Sequence, residues 1–306
     1  MRHTGGILTA LALVVLASCV STDTGTTRAP APEARAPSAQ SQALRTYYAR
    51  VQNDLLARGL MRTDGGGPDT PFTPDMLARN FERIAFYDEY ELDRGLRAAS
   101  GQAGQLRRWP GPVRVAVEFG PSVPKTQRNK DRETIAAYVP RLAAATGHPV
   151  TMTSQRANFF VLIMGEDDRD ALETRVRELV PGASSATLNL FRDVPRNIHC
   201  FVAAFSSPTN VNHYTSAIAL IRAEHPDLLR ESCIHEEIAQ GLGLANDSPD
   251  ARPSIFNDDD EFALLTTHDE KLLSILYDDR LAPGMSLEQA RPVIRILARE
   301  QTGRIY

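Results

Sequence analysis

Hydrophobic side chains in the first part of the chain repeat every three to four residues, a spacing that predicts amphipathic helices. From Gln42 onward the repeat comprises Leu44, Tyr47, Tyr48, Val51, Leu55 and Leu56. The run at residues 65–68, Gly-Gly-Gly-Pro, predicts that this helix has ended. A second helix is predicted to begin at Thr73-Pro74, because threonine is a favoured helix cap and proline a favoured first helical residue.

The pattern then changes to the two-residue alternation of a strand at Val113, Val115, Val117 and Phe119. A helix is predicted over residues 131–145 and a buried strand over 159–164, where the apolar run is continuous. Two further strands are predicted over 200–205 and 217–221, and mostly helix follows from Asp227. This order predicts an α+β fold, in which helices pack on a mixed, twisted sheet.

Residues 1–18 predict an export signal, because residues 6–17 are almost entirely apolar or small and are too few to span a bilayer. The end of this run, Leu16-Ala17-Ser18-Cys19, resembles the lipobox of bacterial lipoproteins. The resemblance implies cleavage before Cys19 and attachment of acyl chains to it. Val20, rather than aspartate, follows the cysteine, which by the same resemblance implies the outer membrane, facing the periplasm. The alternative is an ordinary signal peptide with a chance cysteine.

Composition divides the remaining chain into three segments. Residues 19–42 are rich in Ser, Thr, Ala and Pro and predict a disordered tether behind the lipidated cysteine. Residues 43–107 are predicted to form a helical extension, and residues 108–306 the main domain. The net charge is −4 and no basic patch is visible in the sequence, which disfavours nucleic acid as a partner. No second long apolar run exists, so the lipid anchor is the only predicted membrane contact.

Two cysteines remain after export, Cys200 and Cys233. In an oxidising compartment such a pair tends to form a disulfide, which we predict here. The alternative is two buried free thiols.

The candidate chemistry lies in residues 233–247, Cys-Ile-His-Glu-Glu-Ile-Ala-Gln-Gly-Leu-Gly-Leu-Ala-Asn-Asp. In a helix Glu236 and Gln240 share a face because they are four residues apart, and Glu237 lies beside them. Gly243 permits the sharp turn that ends a helix, after which Asn246 and Asp247 would return toward the helix.

This layout resembles the active-site helix of the metzincin metallopeptidases, whose pattern is His-Glu-x-x-His-x-x-Gly-x-x-His. The three zinc-binding histidine positions are occupied here by Glu236, Gln240 and Asn246. Glu237 stands at the catalytic glutamate, and Gly243 stands at the glycine.

The methionine turn of the metzincins has a counterpart in residues 254–257, with Phe256 in place of methionine. The resemblance implies a zincin-like sheet that keeps the general base but has lost the zinc ligands. We therefore expect no metal and no cofactor.

A broader resemblance, over residues 80–285, is to a family of uncharacterised bacterial lipoproteins defined as a domain of unknown function. Its motif is Glu-Glu-x-x-Gln-x-Leu-Gly-Leu-x-Asn-Asp from Glu236 onward, followed by His268-Asp269 and by Leu-Tyr-Asp-x-Arg-Leu-x-Pro-Gly-Met at residues 276–285. The resemblance implies a place in the cell envelope and brings no activity.

Three interpretations of the site stay open. In the first, Glu236, Glu237 and Gln240 form a hydrogen-bonded structural cluster. The preferred function is a non-catalytic cleft, a pseudoenzyme site that binds an envelope protein or peptide, with Asp247, Phe256 and His268 beside it. The alternative is an atypical metal-dependent hydrolase, with Glu237 as general base and the oxygens of Glu236, Gln240 and Asn246 as weak ligands for a hard divalent ion.

Asp269 completes the helix-capping pattern Thr266-x-x-Asp269, which favours a cap over a catalytic acid.

Overall fold

The computed structural model describes residues 1, 36–89, 101–257 and 259–303. The predicted signal peptide, Cys19 and most of the predicted tether lie outside these residues. Residues 34–306 fall into one compact unit. No helix in the described ranges is long and apolar enough to cross a membrane.

The centre of this unit is a five-stranded sheet in the order β2-β1-β3-β5-β4. The strands are β1 (Val113–Phe119), β2 (Val150–Met152), β3 (Phe159–Met164), β4 (Cys200–Ser207) and β5 (Asn210–Arg222). Strands β2, β1, β3 and β5 run parallel to one another, and β4 pairs antiparallel with β5 at one edge. This mixed sheet confirms the predicted α+β class.

The helices cover both faces of the sheet. They are α1 (Ala39–Ala57), α2 (Pro74–Phe86), α3 (Lys125–Thr146), α4 (Arg169–Leu179), α5 (Ser185–Arg192), α6 (Asp227–Gly241), α7 (Thr267–Leu276) and α8 (Leu287–Gln301). Successive side chains of β3 alternate between two cores: Val161 and Ile163 join the core under α3, α6 and α7, whereas Leu162 and Met164 join the core under α4 and α5. Burial on both faces explains the continuous apolar run of this strand.

Local signals located several elements correctly. Thr73 caps α2 and Pro74 is its first residue, as predicted. Gly147 ends α3 in the left-handed conformation, but this helix begins at Lys125, six positions before the predicted start. Helix α8 begins at Leu287 although it contains Pro292, because the Ser286 hydroxyl caps its first turn.

Three elements were missed because their patterns are weak. Strand β2 has only three residues. Helix α4 buries only Leu172 and Val176, too few apolar positions to make a stripe, and α5 has only eight residues. Strand β5 is longer than the predicted 217–221, since its polar first half pairs with β4 in a hairpin.

Helix α1 packs on the same unit as the sheet. Tyr48 is fully buried. The Ser41 hydroxyl donates to Glu224 Oε1 at 2.8 Å, and the Leu229 N–H donates to Gln52 Oε1 at 3.0 Å. These contacts hold α1 against the loop and first turn that begin α6.

The predicted disulfide is confirmed: Cys200 at the start of β4 is bonded to Cys233 in α6, across a separation of 33 residues. It joins the edge strand covalently to the helix that carries the candidate site.

Replacing both cysteines by serine is expected to lower the free energy of unfolding by about 3 kcal/mol, because the crosslink limits the entropy of the unfolded chain. Guanidinium denaturation of the oxidised protein measures this. The unsubstituted chain treated with dithiothreitol is the matched control and should unfold like the double variant. Alkylation of either cysteine in denaturant without reductant would contradict the bridge.

Candidate functional site

Helix α6 brings the acidic residues of the predicted site to the edge of the sheet, where it packs on β4 and β5. Glu237 lies one turn after the bridged Cys233, so the two side chains share a face of the helix. The carboxylate oxygens of Glu236 and Glu237 and the sulfur of Cys200 come within 4.8 Å of one another. The disulfide therefore lies directly beside the carboxylate pair.

The C-terminal end of α6 is fixed by side chains from two distant segments. Trp109 Nε1 donates to the Gly241 carbonyl at 2.8 Å, and the Tyr277 hydroxyl donates to the Leu242 carbonyl at 2.9 Å. These bonds satisfy carbonyls that a helix end leaves without an intrahelical partner. Gly243 then turns the chain at a φ of +128°, and a Cβ there would lie 2.7 Å from a backbone carbonyl oxygen. Only glycine fits this turn without displacing its neighbours.

The turn returns the chain to the helix, as the sequence predicted. Gln240 Nε2 donates to Asp247 Oδ1 at 3.0 Å. Asn246 Nδ2 donates to the carbonyls of Asp247 and Arg83, at 2.7 and 3.1 Å. The two amides thus hold the loop after α6 and attach it to the last turn of α2.

The buried member of the carboxylate pair is Glu237, which is 3 % exposed. Its Oε2 has no hydrogen-bond partner among the described residues. Burial raises the pKa of Glu237 well above the usual range, and the charges of Glu89 and Asp247 raise it further. Burial also raises the pKa of the half-buried Glu236, with added contributions from Asp247 and Glu237. The pair therefore holds protons at pH values where surface glutamates are ionised.

The side chains at the positions matched to the metzincin histidines do not fit zinc. Zinc in proteins prefers nitrogen and sulfur ligands. The three histidine positions offer only oxygen ligands: the carboxylate of Glu236 and the neutral amides of Gln240 and Asn246. The nearby sulfur of Cys200 is bonded to Cys233. No zinc-dependent step follows from these residues.

A cavity of about 70 Å³ opens beside this cluster. Its walls are formed by Asp88, Glu89, Arg107, Phe201, Val202, Ala204, Tyr214, Gln240 and Ala245. Strand β4 supplies an apolar side, and an ion pair between Arg107 and Asp88 supplies the opposite, polar side. The cavity therefore combines apolar residues of β4 with polar groups from α6, from the residues after α2 and from those before β1.

Residues 74–296 match the model of a family described as Protein of unknown function (DUF2927). The chain belongs to this family. No curated protein and no solved structure matches this chain. The family domain extends from α2 into α8, so every element that forms the cleft lies within it.

Two predicted neighbours of the cleft, Phe256 and His268, are fully buried in the family domain. His268 Nε2 lies 3.0 Å from the amide nitrogen of Asn80, and its ring packs edge-on against Phe72 at 4.9 Å. Phe256 belongs to the hydrophobic core that α6 and α7 share. Of the predicted neighbours, Asp247 is the one that contacts Gln240 directly.

The predicted cap at Asp269 is confirmed. Its carboxylate accepts from the Thr266 N–H and hydroxyl, and the Thr266 hydroxyl accepts from the Asp269 N–H. The same carboxylate accepts from the Ser254 hydroxyl and the Ile255 N–H. Asp269 therefore anchors the turn at residues 254–257 to the start of α7.

His235 has a packing role. Its ring stacks on Tyr138 with centroids 3.9 Å apart, and its Nδ1 accepts from the Leu265 N–H. Burial lowers the pKa of His235 to about 3, so the ring is neutral. Arg280 pairs with Asp278 and Glu300.

Sequence reasoning missed the polar wall of the cleft, which contains Asp88, Glu89 and Arg107, and it also missed Tyr214 on β5. The first two lie in a segment that carried the family resemblance, and Arg107 precedes the matched Arg108-Trp109 pair. No spacing rule connected them to α6, since they approach it only through the fold.

The substitution Glu237→Gln is expected to stabilise the protein at about pH 8 and to have little effect near pH 4. A folded-state pKa above the unfolded value contributes stability at low pH, and this contribution is lost as pH rises through the folded-state pKa. Each unit of raised pKa corresponds to about 1.4 kcal/mol, so a gain of at least about 1 kcal/mol is expected at the higher pH.

Urea denaturation with EDTA present, at both pH values, measures the free energy of unfolding of the parent chain and of Glu237→Gln. Glu231→Gln, at a half-buried position on the same helix, is the control for loss of one charge. If the two substitutions change the free energy of unfolding equally at both pH values, the assigned burial of Glu237 is refuted.

Proposed function

We propose that this chain is a cell-envelope lipoprotein, anchored through acylated Cys19 in the outer membrane and facing the periplasm. Its zincin-like domain binds a peptide or protein segment in the cleft beside α6 and does not catalyse hydrolysis. The observation that carries this proposal is the role of Gln240 and Asn246. Both stand at metal-ligand positions of the metzincin pattern, but both are neutral amides, and their N–H groups hold the loop after α6 in place.

The architecture supports the zincin-like part of the proposal. A mixed sheet carries α6 against its edge, and the helix ends at Gly241 and Gly243 in the register of the metzincin glycine. The general-base position, Glu237, is present but buried in a cluster of like charges. An altered catalytic helix on a retained scaffold is what a binding protein derived from such a fold would have.

Strand β4 supports a peptide as the ligand. It is the last strand of the sheet, and in the described residues only β5 pairs with it. An exposed edge offers backbone N–H and C=O groups to an added extended segment. The cavity next to Val202 and Ala204 would receive one side chain of such a segment.

The test uses the full chain and a phage library of linear peptides. Peptides enriched on the immobilised protein are synthesised, and their binding is followed by fluorescence of Trp109, the only tryptophan. Ala204→Arg, which fills the cavity, is expected to weaken binding by about tenfold or more, or about 1.4 kcal/mol.

Val211→Arg, at a position 67 % exposed on the same β4–β5 hairpin, adds the same charge away from the cavity and should bind normally. Failure to enrich any peptide, or equal binding by both variants, would overturn the peptide proposal.

Hydrolysis is the second candidate, and one observation favours it. A glutamate with a raised pKa and an unpaired oxygen, as at Glu237, is suited to proton transfer. A carboxylate-rich set would take a hard divalent ion rather than zinc.

Metal analysis of the purified chain and a peptidase assay on mixed peptides separate the two functions. We expect neither stoichiometric metal nor cleavage. One divalent ion per chain that is lost in Glu236→Ala, with cleavage that is lost in Glu237→Gln, would establish the hydrolase instead.

A further inference from the structure

A groove outside the candidate site lies against α2. It measures about 580 Å³ and runs between α2 and α8. Four arginines line it, Arg79 on α2 and Arg291, Arg295 and Arg299 on α8, together with Asp75 and Glu82. We call this surface the arginine groove.

The arginines of α8 repeat every fourth residue and therefore form one stripe along the helix. Like charges at this spacing repel and destabilise a helix by roughly 0.2–0.5 kcal/mol per pair. Helix α2 packs against α8 and adds Arg79 to the same surface. The fold thus gathers cations that are dispersed in the sequence.

Local carboxylates do not neutralise this charge. Glu82 pairs with Arg291, whose Nε lies 3.1 Å from its Oε2. Arg79, Arg295 and Arg299 form no ion pair within the described residues, although Asp75 precedes Arg79 by one helical turn. Three guanidinium groups therefore face the groove with their donors available.

We propose that the arginine groove binds a phosphate-bearing anion. Guanidinium groups present rigid forks of N–H donors that match phosphate oxygens, and several forks can bind one phosphate because it has three or more acceptor oxygens. Pockets for small ligands measure about 300–1,000 Å³, so this groove has room for the organic group that carries the phosphate. A soluble phosphate ester and a phospholipid headgroup share this chemistry.

The experiment uses the full chain with Cys19→Ser, so that no acyl chain is added, and two probes. Glycerol 3-phosphate is titrated by calorimetry, and vesicles of equimolar phosphatidylglycerol and phosphatidylcholine are tested by flotation. Arg295→Glu and Arg79→Glu, on different helices, are each expected to weaken binding by about tenfold or more, because each loses charged hydrogen bonds and adds a repulsive charge.

Arg50→Glu, an exposed arginine of α1, is the matched control and should bind like the parent chain. Comparison with this control cancels any vesicle binding by the N-terminal residues, which all the variants share. If the groove variants lose binding to glycerol 3-phosphate, a soluble phosphate ester is sufficient as the ligand. If they lose binding only to the vesicles, the ligand is the phospholipid headgroup. If neither probe distinguishes the groove variants from Arg50→Glu, the proposal is wrong. Circular dichroism of each variant confirms that it is folded.

Discussion

The cleft depends on how α6 ends. A helix leaves its last carbonyls without partners, and here Trp109 and Tyr277 supply donors from segments 132 and 35 positions away in the sequence. Gly243 can then reverse the chain at once, so that Asp247 and Asn246 lie against the helix they follow. Without this termination the acidic residues of α6 would face a different loop, and the motif would not form a site.

Glu237 lies in an environment unlike the one that the resemblance to the metzincins implied. In a metallopeptidase the charge of a metal compensates nearby carboxylates. Here Glu237 is surrounded by Glu236, Glu89 and Asp247, and burial favours the protonated form of the pair. A protonated carboxyl can donate a hydrogen bond as well as accept one, so burial changes what Glu237 can offer to its surroundings.

Sequence patterns predicted what is determined locally. Thr73-Pro74 and the Thr266-x-x-Asp269 cap are signals within one helical turn, and each lies where it was expected. The fold class followed from alternation and apolar runs. The opposite wall of the cleft could not be predicted from such patterns, because Arg107 and Glu89 approach α6 only through tertiary packing. The arginine groove was not predicted for the same reason, because arginines at every fourth position do not form a basic run in the sequence.

The disulfide between β4 and α6 has a consequence for motion. It makes the strand edge and the acidic helix a single rigid wall, because the bond holds Cys200 and Cys233 with Cα atoms 5.9 Å apart. A cleft that opens or closes must therefore do so by displacement of the other wall, where Arg107 and Asp88 lie. A rigid wall loses little conformational entropy when a ligand is bound. The disulfide thus does more than stabilise the fold, since it fixes the shape of one half of the cleft.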